Sequence, residues 1–235
     1  MSEIDQTIQK SLDKLNFQSA EIVETQLKLI ESIYLYEPPS GIYALIEILN
    51  TRYQNANITP LDGYIYEKLI NSDSPKIQQV VAKNFPNGIV TLKSEKNMDY
   101  SDLQKLLIQQ SFLKADKLTH QKLCQLTDSS RNWLYFTDIL KLPIQDLQTI
   151  DNLWRIYSNN KFGFSIQKQI WIATQHDWTK FLIKIKWIHN NNLCRYPQEF
   201  IWDLSAPSGH LPLFNQLRGT QALNSLLLHK AWEEK

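Results

Sequence analysis

Apolar residues recur three and four positions apart along much of the chain, the spacing that lays a hydrophobic stripe along one side of an α-helix. In the first third the stripes are Ile4, Ile8, Leu12 and Leu15, then Ile22, Leu27, Leu29, Ile30 and Ile33, then Ile42, Leu45, Ile46 and Leu49. Pro38-Pro39-Ser40-Gly41 separates the second stripe from the third, with Ser40 placed to cap a helix. Pro60 and Ser74-Pro75 stand where two more helices begin, since proline is tolerated in a first helical turn. The pattern predicts a small bundle of about five helices.

Further on, Asp99 to Gln109 and Phe112 to Leu126 read as amphipathic helices, and Pro143 opens a third with Leu147, Ile150, Leu153, Trp154 and Tyr157 on one face. From Asn159 the period loosens. Phe162-Gly163-Phe164, the His189-Asn190-Asn191-Asn192 stretch, Arg195-Tyr196-Pro197 and Ala206 to Pro212 read as aromatic loops, before Leu217 to Leu228 closes the chain as a helix. No alternation strong enough for a sheet appears. The expected fold is all-α, with an N-terminal helical bundle over residues 1–84 and a larger all-helical domain with long aromatic loops over 85–235. The boundary is set at the turn-rich Asn84-Phe85-Pro86-Asn87-Gly88.

Charge sharpens this division. Residues 1–84 carry seven Lys and Arg against eleven Asp and Glu, and the remainder carries eighteen against thirteen, so a net charge of +1 conceals −4 and +5. All seven tryptophans lie after residue 84. No run approaches the roughly 20 apolar residues of a membrane-spanning helix. The acidic start, Met1 to Asp5, does not read as a secretory or transit signal. Cys124 and Cys194 stand apart from any paired-cysteine motif, which indicates no disulfide framework, zinc site or covalent haem.

Catalytic motifs are missing: there is no GxSxG, GxGxxG, Walker or HExxH pattern, and the five histidines fall in no ligand spacing. Asp203, Ser205 and His210 supply the residue types of a hydrolase without the glycine turn that exposes a nucleophile, so Asp203 and Ser205 are expected to brace the turn around Pro207. Binding chemistry is better represented. Phe136, Phe162, Phe164, Trp171, Trp187, Tyr196, Phe200 and Trp202 alternate with Lys161, Lys168, Lys184, Lys186, Arg195 and Arg218. Aromatic surface with placed cations suits a large, flat, anionic ligand, although any one of these aromatics is more often simply core. Single-stranded nucleic acid favours the same mixture, but a surplus of +5 is modest and no RNP or KH signature is present, so no nucleic-acid partner is expected.

Four ordered blocks narrow the reading: Arg131 to Thr137 (RNWLYFT), Asn159 to Gln167 (NNKFGFSIQ), Trp202 to Leu213 (WDLSAPSGHLPL) and Asn215 to Gly219 (NQLRG). Together with Ala115 to Thr119, they resemble the genomes-uncoupled-four family, the porphyrin-binding regulators of magnesium chelatase in chlorophyll synthesis. The resemblance runs from about Phe85 to Trp232 and more loosely over the preceding bundle. It implies a non-catalytic, monomeric protein whose cupped helical domain binds protoporphyrin IX and Mg-protoporphyrin IX and acts with the H subunit of magnesium chelatase. An alternative is a helical protein-interaction scaffold that binds no porphyrin.

By motif, the resemblance implies an apolar wall of Phe136, Ile139, Phe162, Phe164, Tyr196 and Phe200, with Asn215 and Arg218 as polar contacts and Arg195 as a second cation. His210 is a lesser candidate for an axial magnesium ligand, and no protein metal ligand is assigned. Gly163 and Gly209 are expected to ease loop closure over a ligand. Leu193 and Tyr196 replace tryptophans of cyanobacterial relatives, which predicts a loss of about 1 kcal/mol per missing aromatic contact. The resemblance places the protein in the plastid stroma or a cyanobacterial cytoplasm, with rim aromatics that would permit peripheral membrane contact.

Overall fold

A computed structural model describes residues 3–17, 24–36, 39–127, 133–190, 192–213 and 220–233. The chain divides into two compact units, Met1–Val90 and Thr91–Lys235. Both are helical, and among the described residues the sole sheet is a two-stranded hairpin.

The first unit holds α1 (Glu3–Leu12), α2 (Glu24–Tyr34), α3 (Ser40–Gln54), α4 (Pro60–Ile70) and α5 (Pro75–Asn84). Its core forms where the stripes meet: Ile30, Leu45, Leu49, Ile65, Leu69 and Val81 have no exposed surface. Phe85 belongs to this core, with its ring edge-on to Tyr53 at 5.4 Å and to Tyr66 at 5.9 Å. Ser40 is the first residue of α3 rather than its cap; Pro39 occupies the cap position, and a proline side chain has no acceptor to offer. Gly41 is required by packing, because a Cβ there would sit 1.8 Å from the Ile33 carbonyl oxygen on α2. Pro60 does open α4. Thr59 and Asp62 form a capping box, and buried Asp62 also takes Arg52 Nε at 2.7 Å and Nη2 at 2.9 Å, locking α3 to the start of α4.

The second unit holds α6 (Ser101–Ile108), α7 (Phe112–Leu126), α8 (Phe136–Ile139), α9 (Ile144–Ile156), α10 (Phe164–Ala173), α11 (Trp178–Lys184), strands β1 (Ile188–His189) and β2 (Asn192–Leu193), α12 (Thr220–Leu227) and a final 3-10 turn, Lys230–Trp232. At its centre the Phe162 ring stands edge-on to Phe112 at 5.3 Å and to Trp154 at 6.4 Å. Trp154 satisfies its indole by donating to Thr119 Oγ1 at 3.0 Å. Buried Asp146 accepts from the Tyr100 hydroxyl at 2.7 Å, from the Glu95 amide at 2.8 Å and from the Ser94 hydroxyl, tying the irregular entry segment of the unit to α9.

Two helices, α10 and α11, occupy the stretch read as aromatic loop. α10 is apolar around most of its circumference (Phe164, Ile166, Ile170, Trp171, Ile172), so its helical period carries little contrast. Its start is set by Gly163, at φ +134°, and by Asp151, whose carboxylate accepts the Ser165 amide at 2.8 Å and its hydroxyl at 2.6 Å. Asp177 caps α11 by accepting the Lys180 amide at 3.0 Å. The hairpin pairs Ile188 with Leu193 and His189 with Asn192; at two residues per strand it is too short to show an alternating pattern.

Candidate functional site

The hairpin leaves α11 through Trp187, which is buried and donates its indole N–H to the His210 carbonyl at 2.8 Å. Cys194, on the returning side, donates its amide to the Trp187 carbonyl at 2.9 Å. The base of the hairpin is thereby pinned to the segment around residues 200–212. Gln167 on α10 holds that segment from below, donating to the carbonyls of Gly209 (3.0 Å) and Pro212 (2.8 Å). Lys161 completes the frame: its carbonyl accepts the Gly209 amide at 2.7 Å and its ammonium donates to the Leu204 carbonyl. This lysine braces the scaffold and is not free for an anionic ligand.

On the outer side of this frame lies an open pocket of about 580 Å³, lined by His189, Asn190, Asn192, Leu193, Cys194, Arg195 and Glu199. Its size falls within the range of small-molecule sites. Leu193 is 51% exposed, and the guanidinium of exposed Arg195 meets no acidic side chain among the described residues. The Arg195 amide donates to Glu199 Oε2 at 2.7 Å, which occupies that carboxylate locally. Beside the pocket, half-exposed Tyr196 stands edge-on to Trp202 at 5.9 Å; Trp202 contacts Phe200 at 6.1 Å, and Phe200 contacts His210 at 5.5 Å. A continuous aromatic wall therefore runs from a solvent-facing tyrosine to a fully buried histidine.

The structure brings Arg195, Tyr196 and Phe200 together, with Phe200 as a buried support for Trp202. Phe136 lies on α8 and is 47% exposed, next to exposed Tyr135 and Leu140, while Ile139 on the same helix has no exposed surface. Phe162 and Phe164 are also wholly buried, the former at the centre of the core and the latter against Trp232 at 6.3 Å. These three residues shape the scaffold and present nothing to a ligand. Asn215 and Arg218 lie outside the described residues.

His210 spends both ring nitrogens on the backbone. Nε2 accepts the Ile201 amide at 3.0 Å, so the proton resides on Nδ1, which is 2.6 Å from the Ile185 carbonyl. Burial pushes its pKa down, and the neutral ring has no lone pair left for a metal or for Ser205. Ser205 instead donates its amide to Asp203 Oδ1 at 2.7 Å, bracing the turn before Pro207. Gly163 and Gly209 sit in crowded turns. A Cβ on Gly163 would lie 2.8 Å from Asp151 Oδ1, and one on Gly209 2.6 Å from Ile170 Cδ1. Both glycines answer to close packing and positive φ.

One residue escaped the sequence reading. Asp116 is 5% exposed on α7 and accepts the Leu213 amide at 2.7 Å, fixing the chain two residues before Asn215. Burial pushes its pKa up to about 7, against the pull of the Leu213 bond and of Lys117. Tyr196 is pushed up to about 12, first by burial and then by the Asp116 charge, so the two side chains sense one another. The signal was present: positions 112, 115, 119 and 123 form the buried face of α7, and an aspartate at 116 falls on that face.

Residues 93–230 match the GUN4-like family. The ycf53 protein of Porphyra purpurea is 49% identical over 233 residues, spanning 96% of this chain and 98% of that one. The chloroplastic tetrapyrrole-binding protein of Arabidopsis thaliana is 37% identical over 142 residues, covering 55% of this chain and 54% of that one. The structure of GUN4 from Chlamydomonas reinhardtii superposes with a TM-score of 0.58 at 42% identity, over 61% of this chain and 96% of that one. On the family match and the near full-length relative, this chain belongs to the GUN4-like family.

Proposed function

We propose that the chain is a non-catalytic tetrapyrrole-binding regulator that takes protoporphyrin IX and Mg-protoporphyrin IX and stimulates magnesium chelatase through its H subunit. The observation that carries this reading is that Leu193 and Arg195 line one open pocket, with half-exposed Tyr196 next in the chain, in a chain related to a protein named for tetrapyrrole binding. A porphyrin is an apolar disc with two carboxylates on one edge. Leucine and tyrosine supply dispersion and stacking to the disc, and a guanidinium pairs a propionate bidentately. By the NQLRG block that carries them, Asn215 and Arg218 are assigned as further polar contacts for the ligand.

The second unit is the porphyrin-binding domain in this reading. With both ring nitrogens committed to the backbone, His210 would offer no ligand to the magnesium of a bound porphyrin. The pocket is open, which suits a carrier that receives a poorly soluble pigment and hands it on. The plastid stroma or the cyanobacterial cytoplasm is the site of action, given the ycf53 relative of Porphyra purpurea and the chloroplastic one of Arabidopsis thaliana. The test is magnesium insertion by purified chelatase subunits at limiting magnesium, with and without this protein. Stimulation that is lost in Arg218→Ala supports the reading, and an unchanged rate with wild type refutes the regulatory part.

A further inference from the structure

The basic surplus of the second unit falls within one stretch of the chain. Residues 161–195 carry Lys161, Lys168, Lys180, Lys184, Lys186 and Arg195 against a single acid, Asp177, a balance of +5 that equals the whole surplus after residue 84. Lys161 is tied into the scaffold and Arg195 lines the pocket. The remaining four lie on α10, on α11 and just after it. Asp177 is engaged by Lys180, whose ammonium is 3.2 Å away, so no carboxylate offsets Lys168, Lys184 or Lys186 among the described residues. The same two helices expose Ile172 at 50% and Ile183 at 51%. Ile172 is one turn beyond Lys168 and Ile183 lies three positions beyond Lys180, so each isoleucine shares its helix face with a lysine.

We propose that the solvent face of the α10–α11 pair is a docking surface for an acidic protein partner, with Ile172 and Ile183 as its apolar centre and the lysines as its charged rim. An apolar centre within a charged rim is the anatomy of protein interfaces, and the uncompensated positive charge selects an acidic counterpart and steers its approach. The face is a poor membrane anchor. The broad apolar sides of both helices are committed inward through Phe164, Trp171 and Phe181, and the Trp178 ring lies tilted against Trp171 at 5.4 Å, so two isoleucines remain where an interfacial helix needs a wide apolar face. The surface is independent of the tetrapyrrole pocket, which includes none of these residues.

The experiment uses the full chain and a fluorescein-labelled amphipathic helical peptide of Glu, Ala and Leu, followed by anisotropy. Binding is expected to weaken about tenfold between about 50 and about 300 mM salt. The variant Lys168→Glu/Lys184→Glu/Lys186→Glu should lose about tenfold or more at low salt, and Ile172→Ser/Ile183→Ser severalfold. A charge-matched control on the same unit, Lys93→Glu/Lys114→Glu/Lys141→Glu at three exposed lysines away from α10 and α11, should stay within about twofold of wild type. Equal losses in the two triple variants reduce the effect to net charge and overturn the proposal. So does failure of the wild type to bind the peptide, including the case in which it binds phosphatidylglycerol vesicles instead.

Discussion

Trp187 and His210 lie 23 positions apart in sequence and are joined by a 2.8 Å hydrogen bond from the indole nitrogen to the backbone carbonyl. That bond fastens the base of the hairpin to the segment carrying Trp202, so the pocket and the aromatic wall share one rigid foundation. Trp187→Phe keeps most of the buried ring but strands the His210 carbonyl. The expected cost is about 1–3 kcal/mol in urea unfolding, with faster amide exchange at residues 188–194. Unchanged exchange there would show that the hairpin is held by other contacts.

Asp116 sets a pH dependence of known sign. Its folded pKa of about 7 lies above the ordinary carboxylate value. Below about pH 4 both states are protonated and the residue contributes no slope. Between about 4 and about 7 the unfolded chain ionises while the folded one keeps its proton, so stability falls as pH rises, by at most about 1.4 kcal/mol per pH unit. Asp116→Asn retains an acceptor for the Leu213 amide and removes the titration. Thermal melts should show wild type losing ground to the variant from pH 5 to 7, and parallel curves would be evidence against a buried, protonated Asp116.

Gly163→Ala is expected to destabilise the second unit by about 1–3 kcal/mol, because φ +134° is a glycine conformation and the added methyl meets Asp151 Oδ1. Gly209→Ala meets the movable end of Ile170 and should cost less. If both glycines serve loop opening instead, the alanine variants should keep their stability while ligand association slows.

In the first unit Asp62→Ala removes the carboxylate that holds Arg52 and the Thr59 cap, leaving a largely buried guanidinium without its partner. A loss of about 3 kcal/mol is expected. Calorimetry in which the variant melts with the wild-type profile would contradict the placement of this pair.

The sequence shows these features unequally. The bundle helices and α7 and α9 are legible because each buries one stripe, as Leu147, Ile150, Leu153 and Trp154 do on α9. α10 and α11 are hidden by being short and, for α10, apolar on nearly every side. In the site, family motifs name Arg195 and Tyr196, which face solvent, and equally Phe162 and Phe164, which do not; a motif marks residues a fold needs as well as those a ligand touches. His189 reaches the pocket through the hairpin and Glu199 through the turn that follows it, pairings that no hydrophobic period marks.

The central claim is that a tetrapyrrole binds beside the hairpin, and tryptophan quenching during titration with Mg-protoporphyrin IX tests it most directly. Wild type should saturate, and Arg195→Ala and Tyr196→Ser should each bind more weakly by about 1 kcal/mol or more while retaining wild-type melting temperatures. A flat titration in wild type, or wild-type affinity in both variants, would contradict the account.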